Sequence, residues 1–410
     1  MADYDLKLDK EQLVGLLTKN DAMAELISSI LTQVLEAQMT EHLGAERHEQ
    51  NELRAGYRNG YRARQLYTRI GTLHLRVPQT RDGSFSTEIF KRYQRSEQAF
   101  VAGLMEMYLQ GVSTRKVTKI TEELCGTSFS KSTVSQLCAN LDTRLAAWRN
   151  RPLSDKRYPF VLVDALVVDV RRDQAIRSTG VLIAYGINED GMREPLDLFI
   201  ADSESESSWT TLFQTLKQRG LKDVDLVVSD DHIGLVNALK KYFQGAQWQR
   251  CQTHFMRNIL GHTPRHLRKS LAVQLKVVFQ AADKKTAVDL AKKIIIEYEA
   301  KANSAMNCLE NGLEDALTCL NLPEKYRQRL RTTNLPERVN EEIRRRQRVV
   351  RIFPNEAATL RLIGAILADI YDDWQTGARY FVMDEYWAFK QEQDDNEKNE
   401  QSNVVAIGDN

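Results

Sequence analysis

The sequence has no long apolar run, no apolar leader and no paired cysteines, and each absence excludes a class of protein. No stretch approaches the roughly 18 consecutive apolar residues of a membrane-spanning helix. Residues 1–20 contain seven charged residues, six of them between positions 3 and 11, and lack the apolar centre of a signal peptide, so we expect neither secretion nor a membrane location. The five cysteines are odd in number and widely scattered, which argues against a disulfide framework and favours a reducing cytoplasm.

The charge is nearly balanced overall but is unevenly distributed along the chain. The 410 residues have a formal net charge of +1, with 42% hydrophobic and 28% charged residues, which excludes wholesale disorder. Residues 1–50 hold four Lys or Arg against ten Asp or Glu, whereas residues 51–150 hold sixteen against eight. This separation predicts a basic surface for a polyanion, although a set of solvated faces would give the same counts.

The central part of the chain has the pattern of an α/β fold. Three successive apolar runs predict a meander of strands, and helix, strand, helix and strand follow them. That order is typical of the RNase H-like fold. Residues 262–333 then have a helical pattern with no strand signal. The predicted strands are 158–170, 179–187, 194–201, 224–229 and a short one around Trp248, and the predicted helices between them are 208–219 and 234–242.

These patterns predict an α/β RNase H-like catalytic core with an all-α insertion, preceded by a mostly helical DNA-binding region. An amphipathic helix near residues 23–34 has an apolar stripe that suits packing within this chain or against a second copy. The polar end of the chain is predicted to be disordered. The predicted boundaries are 1–50 for an N-terminal helical and oligomerisation segment, 51–150 for the DNA-binding region, 157–261 and 332–390 for the core, 262–331 for the insertion, and 391–410 for the tail.

Two features of the predicted DNA-binding region indicate DNA as its ligand. Residues 51–76 contain six arginines and one acid, interleaved with three tyrosines, and residues 68–77 alternate as a strand. Residues 113–140 follow the layout of a helix-turn-helix, with small polar residues opening the second helix, although many helical bundles share it. The predicted DNA contacts in this region are Arg58, Arg62, Arg64 and Lys131.

Three carboxylates are predicted to meet at the edge of the sheet. Asp164 lies within the first apolar run, where a carboxylate is costly to bury unless it is paired or binds a metal. Asp230 closes the fourth strand, which neighbours the first in an RNase H-like sheet. Glu337 lies near the start of a helix that would pack across both strands, with Thr333 or Asn334 predicted to cap it. An acid exposed at the end of its element is the alternative for each, but the three in this order favour a shared site.

Convergent carboxylates are the ligands that hard divalent cations require, so the sequence predicts a site for two Mg²⁺ ions, with Mn²⁺ able to substitute. Two such ions, about 3.5–4 Å apart, would activate a nucleophile and stabilise a leaving oxygen in phosphoryl transfer. The predicted metal ligands and catalytic residues are therefore Asp164, Asp230 and Glu337. No small-molecule cofactor is predicted.

Cys251 and His254 have the spacing of half a zinc site, and His262 and His266 form a second candidate pair. Structural zinc needs four ligands, and the chain contains no second Cys-x-x-Cys or His-x-x-Cys unit. We therefore expect no zinc, and interpret the pair as packing and polar support for the strand that ends at Asp230. Trp248 suits either a core position or stacking on an unpaired base near the scissile phosphate.

Basic residues are dense around Glu337. Residues 325–351 contain ten Lys or Arg, and several share the helix of Glu337. Arginines beside a metal site would hold the phosphates of a DNA strand, although ordinary surface charge accounts for some of them. The predicted DNA contacts on this helix are Arg338, Arg344, Arg345 and Arg348.

Six motifs in the chain are together specific to one family. They are 56–62 (GYRNGYR), 111–117 (GVSTRKV), 163–165 (VDA), 228–230 (VSD), 248–254 (WQRCQTH) and 332–338 (TTNLPER). On these motifs the chain resembles the bacterial insertion-sequence transposases of the Mutator type, members of the DDE superfamily, from about residue 26 to residue 389. The family's catalytic acids fall on Asp164, Asp230 and Glu337, the same three reached above.

The resemblance implies a DNA transposase that binds the terminal inverted repeats of its element, cuts at the 3′ ends and joins the freed 3′-OH to target DNA. It also implies a replicated circular intermediate and a homodimer in the synaptic complex. The expected partners are double-stranded DNA and a second copy of the chain, without a membrane. The expected location is the bacterial cytoplasm, with the nucleoid when DNA is bound.

Two positions depart from the family pattern. The family commonly has Gly where this chain has Asp231, and Ile where it has Pro336; neither departure removes a ligand. Two alternative functions stay open. An RNase H-like structure-specific nuclease would cut DNA without joining it, and a domesticated, non-catalytic DNA-binding protein should have lost at least one of the three carboxylates.

Overall fold

The structure is a computed structural model in which the chain divides into two compact units, Met1–Leu141 and Asp142–Asn410. The described residues are 22–52, 54–68, 70–87, 89, 103–104, 106–107, 116–117, 119–121 and 141–408. The predicted helix-turn-helix at 113–140 falls almost entirely outside them, and Lys131 lies outside them.

The first unit contains a helix packed on a β-hairpin. These elements are α1 (Ala22–Leu43), β1 (Arg58–Thr68) and β2 (Gly71–Thr80), and the two strands are antiparallel. The helix and the hairpin pack through apolar side chains on one face of the hairpin. On the strands these are Leu66, Leu73, Leu75 and Val77.

The hairpin corrects the secondary structure predicted for this region, in which only residues 68–77 formed a strand and the rest was mostly helical. Both arms are strands, and the second begins at Gly71. The first arm has no apolar alternation, because its only buried residues are Leu66 and Thr68. Cross-strand pairing, which a local pattern does not report, makes it a strand.

The second unit contains a mixed six-stranded sheet. Its strands are β3 (Phe160–Arg172), β4 (Ala175–Ile187), β5 (Arg193–Ala201), β6 (Leu226–Ser229), β7 (Gln247–Arg250) and β8 (Ile352–Phe353). The order is β5-β4-β3-β6-β7, in which β3, β4 and β5 are antiparallel and β6 and β7 continue in parallel from β3. The two-residue β8 pairs in parallel with β3 and is too short to be predicted from a sequence pattern.

The helices of the second unit surround this sheet and fill the interval between β7 and β8. They are α2 (Leu141–Arg149), α3 (Glu206–Gln218), α4 (Ile233–Tyr242), α5 (Gln252–Gly261), α6 (Arg268–Phe279), α7 (Lys284–Ala316), α8 (Glu324–Leu330), α9 (Asn334–Val350), α10 (Glu356–Thr376) and α11 (Asp384–Gly408), with a 3₁₀ turn at Thr318–Asn321. None of the helices in the described part of the chain is both long and apolar enough to cross a membrane.

Alternation along β3 separates the two faces of the sheet. Val161 and Val163 point into a core formed with α3 and α4, which contributes Trp209 and Phe213. The residues between them point to the opposite face, where α9 and α10 contact the sheet. Helices α5, α6 and α7 have a separate core of their own, so they form a compact layer beside the sheet.

The end of the chain differs from the predicted disordered tail at 391–410. Helix α11 continues through that segment as far as Gly408. The stretch contains three Glu and three Gln, which have good helix propensity, and it contains no proline. The start of the helix is held by Asp225, which accepts hydrogen bonds from Tyr386 at 2.6 Å and Lys390 at 2.7 Å.

A buried ion pair ties β5 to the elements beside it, and its loss should be costly. Asp197 is 1% exposed, and its carboxylate lies 2.9 Å from Nε of Arg149 and 3.3 Å from Arg219. We expect Asp197→Ala to lower the free energy of unfolding by about 3–5 kcal/mol, because it leaves guanidinium groups without their buried counter-charge. Urea unfolding measures the effect.

The matched control for that variant is Glu189→Ala, which removes an exposed ion pair with Arg157. An exposed pair contributes at most about 1 kcal/mol. Equal costs for the two variants would contradict the role given to Asp197.

Candidate active site

Asp164 and Asp230 lie on neighbouring parallel strands. The register of β3 and β6 sets Leu162 opposite Val228, and each aspartate is two residues further along its own segment. Asp164 lies in the middle of β3, on the face away from the α3–α4 core, and Asp230 directly follows β6. Both are partly buried. The structure therefore brings these two predicted residues together at the point where β6 ends.

Helix α9 brings the third carboxylate to the same face. Glu337 lies in its first turn, where its backbone N–H donates to the carbonyl of Thr333 at 2.9 Å. Pro336 precedes it in that turn, where a missing N–H leaves no intrahelical bond unmade. The predicted side-chain cap by Thr333 or Asn334 is absent. Thr333 is the N-cap residue, but its hydroxyl donates instead to Sγ of Cys251 at 3.2 Å.

The three carboxylates are close enough to act on one another. Burial raises the pKa of Asp164 to about 7; the charges of Asp230 and Glu337 add to this, and His254 opposes them. Because this pKa is raised from its ordinary value of 3.8, ionisation of Asp164 makes the folded chain less stable as the pH increases from 3.8 to about 7. A bound cation would offset this repulsion.

Asn340 supports Asp164 from helix α9. It is 3% exposed, and its Nδ2 donates to Oδ2 of Asp164 at 2.7 Å. It lies three residues after Glu337, so both side chains are on one face of the helix. Its buried Oδ1 accepts no hydrogen bond from the described part of the chain. Asn340 thus links the helix to the strand and leaves an amide oxygen available.

The donor set suits a hard divalent cation, although its oxygens do not converge on one point. Among the described residues, no group of three or more His, Cys, Asp or Glu side chains is placed to hold a metal ion. Oε1 of Glu337 faces Nε2 of His254 at 3.7 Å, and Oδ2 of Asp164 is engaged by Asn340. The carboxylates share one face and repel one another, and their oxygens are the ligands that Mg²⁺ and Mn²⁺ prefer. The chemistry of these three residues therefore suits the predicted ions, whereas their side-chain positions do not form a complete metal site.

Cys251 contacts the start of α9. Its buried Sγ accepts hydrogen bonds from the backbone N–H of Thr333 at 3.4 Å and from the hydroxyl of the same residue. Burial opposes ionisation of the thiol, but hydrogen bonds with His254 and Thr333 outweigh burial and lower the pKa of Cys251. Contact with this thiol raises the pKa of His254. The pair therefore joins the end of β7 to the first turn of α9.

Of the two roles predicted for Trp248, packing in the core and stacking on a base, the structure shows core packing. Its ring packs, partly buried, against the core formed with α3 and α4. Its indole N–H donates to Oγ of Ser229 at 2.8 Å, which joins β7 to the end of β6 directly before Asp230. Trp248 thus supports the strand on which the site depends.

Three side chains near the site were missed by sequence reasoning. Asn340 had one signal, its i+3 spacing from Glu337. Arg250 pairs with Asp231 at 2.8 Å. Glu204 accepts a hydrogen bond from the indole of Trp209 at 3.2 Å, and burial together with the charge of Asp230 raises the pKa of Glu204. Nothing in the sequence pattern singles out Glu204.

The arginines predicted to contact DNA on α9 fall into two groups. Arg338, Arg344 and Arg348 are exposed along the helix. Arg345 instead pairs with Glu342 at 2.7 Å, and the next residue, Arg346, pairs with the same carboxylate at 2.9 Å. The hydrogen bond from Arg345 is the main cause that lowers the pKa of Glu342 to about 2.

The arginines predicted to contact DNA in the first unit also differ from one another. Arg58 is engaged within the unit, because its guanidinium donates to Glu36 at 2.6 Å and to Thr40 at 2.7 Å. Arg62 is exposed and Arg64 is partly buried. Arg58 therefore holds the hairpin to α1.

Comparison with known proteins adds evidence of family. The model of the family described as "Transposase, Mutator family" matches residues 2–377. The transposase for insertion sequence element IS256 in transposon Tn4001 from Staphylococcus aureus is 42% identical over 387 residues, which covers 93% of this chain and 99% of that protein. The transposase for insertion sequence element ISRM5 from Rhizobium meliloti is 45% identical over 371 residues, covering 90% and 93%.

One solved structure also matches over most of the chain. The Drosophila P element transposase strand transfer complex covers 75% of this chain and 87% of its own, at 10% sequence identity and a TM-score of 0.32.

Proposed function

The chain belongs to the Mutator family of transposases, and on that premise we propose that it binds the ends of its own mobile element, cuts their 3′ ends and joins them to target DNA. The observation that supports the proposal is that Asp230 and Glu337, at a strand end and a helix start, lie close enough to Asp164 on its strand for their charges to act on it. Three separate segments supply one acidic site, and family membership gives that site its reaction.

In this proposal Asp164, Asp230 and Glu337 hold two divalent cations, Mg²⁺ or Mn²⁺. The chemistry that such ions supply when bound is activation of the attacking oxygen and stabilisation of the leaving oxygen. Asn340 holds one carboxylate oxygen of Asp164 so that the other stays directed towards the site. Cys251 fixes the start of α9, and so the position of Glu337, through Thr333.

The exposed arginines of α9 supply the DNA contacts beside this site. Arg338, Arg344 and Arg348 lie on the helix that carries Glu337, so phosphates bound by them would lie next to the carboxylates. Arg345, whose charge is balanced by Glu342, contributes less to this surface. The role of these residues is to hold the strand in register for cleavage, without reading its sequence.

We further propose that the second unit is an RNase H-like core with an all-α insertion. The sheet order, with three antiparallel strands followed by two parallel ones, supports the first part. The helices α6 and α7, which lie within 262–331 and share a core with α5, support the second. Synapsis of two element ends by a homodimer, and activity on bacterial nucleoid DNA in the cytoplasm, complete the proposal.

A strand-transfer assay tests this function. The full-length chain, Mg²⁺, a labelled duplex that carries the element's flanking inverted repeat, and a circular target plasmid should give a product in which the labelled 3′ end is covalently joined to the plasmid. Cleavage without joining would identify a structure-specific nuclease. Tight binding without cleavage would identify a non-catalytic DNA-binding protein. Either result would refute the proposed reaction.

A further inference from the structure

The hairpin of the first unit has one covered face and one open face. Residues paired across the strands point to the same side, and Leu66 with Leu73 marks the side that packs on α1. The alternate positions are on the other side. Ala63 pairs with Arg76 and Gln65 pairs with His74, and all four are exposed. We refer to Ala63, Gln65, His74 and Arg76 as the open face.

The open face carries side chains that are available for binding. No hydrogen bond or ion pair within the described residues uses the side chains of Gln65, His74 or Arg76. The guanidinium of Arg76 lies over the ring of Tyr61, with its central carbon 4.4 Å from the ring centroid. This stacking restricts the arginine side chain and so lowers the entropy lost on binding. It leaves the N–H edges of the guanidinium available.

We propose that this open face reads base edges in the major groove of double-stranded DNA, with Arg76 and Gln65 as the specificity-determining residues. The proposal rests on the DNA-binding function proposed above and adds the element, the groove and the residues. A two-stranded ribbon fits the major groove, about 12 Å wide, and not the minor groove, about 6 Å wide. Arginine pairs with guanine O6 and N7, and glutamine pairs with adenine N6 and N7.

The charge of the hairpin selects DNA over a second copy of the chain as the occupant. Residues 54–81 contain seven arginines and no Asp or Glu. Two such hairpins related by a twofold axis would set like charges against each other, whereas a polyanion is attracted. At the base of the hairpin Arg54 and Arg81 lie over the exposed ring of Tyr57, at 5.0 and 5.6 Å, where they can contact phosphates.

The spacing of the open face predicts the spacing of the bases that it reads. Gln65 and Arg76 occupy successive cross-strand pairs of the open face, about 6.8 Å apart along the ribbon at about 3.4 Å per residue. That distance equals about two base steps of B-DNA at about 3.4 Å per step. The guanine read by Arg76 and the adenine read by Gln65 should therefore lie about two base pairs apart. Ala63, next to Arg76, is small enough for close approach and suits a thymine methyl.

Selection from a pool of random-sequence duplexes by the full-length protein tests the proposal. Arg76→Ala should lose about 5- to 150-fold of the discrimination at one guanine, and Gln65→Ala should lose a similar factor at an adenine. The matched control is Arg62→Ala, which removes the same charge from an exposed residue on the side of the hairpin that faces α1. It should weaken binding to all sequences while leaving the selected motif unchanged. Methylation of guanine N7, which lies in the major groove, should block binding of the wild type.

The outcomes separate this proposal from the proposed function. If Arg76→Ala and Gln65→Ala select the wild-type motif with wild-type discrimination, or if N7 methylation has no effect, the open face does not read DNA, whether or not the protein joins DNA ends. If the variants change the motif as expected but the wild type fails in the strand-transfer assay, the ribbon assignment stands and the reaction assignment falls. Unchanged unfolding transitions in the three variants show that binding, and not folding, is altered.

Discussion

Asp164→Asn is expected to lower DNA cleavage and strand transfer by about a thousandfold or more, while binding of the terminal repeat stays near the wild-type level. The amide keeps the shape of the carboxylate but loses its charge, and a hard divalent cation prefers the charged ligand. A loss of several kcal/mol of transition-state stabilisation corresponds to about this factor in rate. Single-turnover cleavage of a labelled duplex measures the chemistry, and an electrophoretic shift of the same duplex measures binding.

The same variant gives a readout that does not depend on activity. Burial and the neighbouring acids raise the pKa of Asp164 to about 7, so the ionised group destabilises the folded chain above that pH. In metal-free buffer above neutral pH, Asp164→Asn should therefore melt no lower than the wild type. Added Mn²⁺ should raise the melting temperature of the wild type and leave that of the variant unchanged, because a ligand stabilises the state that binds it.

Asn340→Ala should lower cleavage less than Asp164→Asn does. It removes the hydrogen bond to Asp164 but no carboxylate, so we expect a loss of about 10- to 100-fold in cleavage, with DNA binding unchanged. A wild-type rate of cleavage by Asn340→Ala would show that Asn340 does not position Asp164. A substantial rate of end joining by Asp164→Asn, or a Mn²⁺ response equal to that of the wild type, would exclude Asp164 as a metal ligand.

The elements that carry the two aspartates could be predicted because each has a strong local signal. The strands around Asp164 and Asp230 are continuous apolar runs, which are typical of strands buried on both faces, and a carboxylate in such a run stands out. The start of the helix at Glu337 is indicated by Thr333 and Asn334, polar residues typical of the position before a helix. In each case the sequence segment itself contains the information.

The rest of the structure depends on contacts between distant segments, which a local pattern does not contain. Strand β1 is polar along most of its length and is held by its pairing with β2. Asn340 gains its role only because α9 crosses β3, so that it meets a residue 176 positions earlier. Glu204 also comes close enough to interact with the charge of Asp230 only because the chain is folded. Thr333 looked like a helix cap, but a buried thiol competes for its hydroxyl.

Glu337→Gln is expected to abolish cleavage and strand transfer, whereas Glu341→Gln should stay within a few-fold of the wild type. The two glutamates are one helical turn apart, so the sequence alone leaves either able to be the third ligand. The structure distinguishes their surroundings. Glu337 is partly buried, faces His254 at 3.7 Å and acts electrostatically on Asp164, whereas Glu341 is exposed. Each variant removes one charge from the same helix, so Glu341→Gln is the matched control.

The expected loss for Glu337→Gln is about a thousandfold, because one of three charged ligands is replaced by a neutral one while the backbone of the first turn of α9 is unchanged. Cleavage assays on both variants, with binding of the terminal repeat measured separately, decide the assignment. Because both variants leave the exposed arginines of α9 unchanged, binding should be equal. An active Glu337→Gln beside an inactive Glu341→Gln would move the third ligand by one turn, and α9 would then have to shift along β3 to bring Glu341 to the two aspartates.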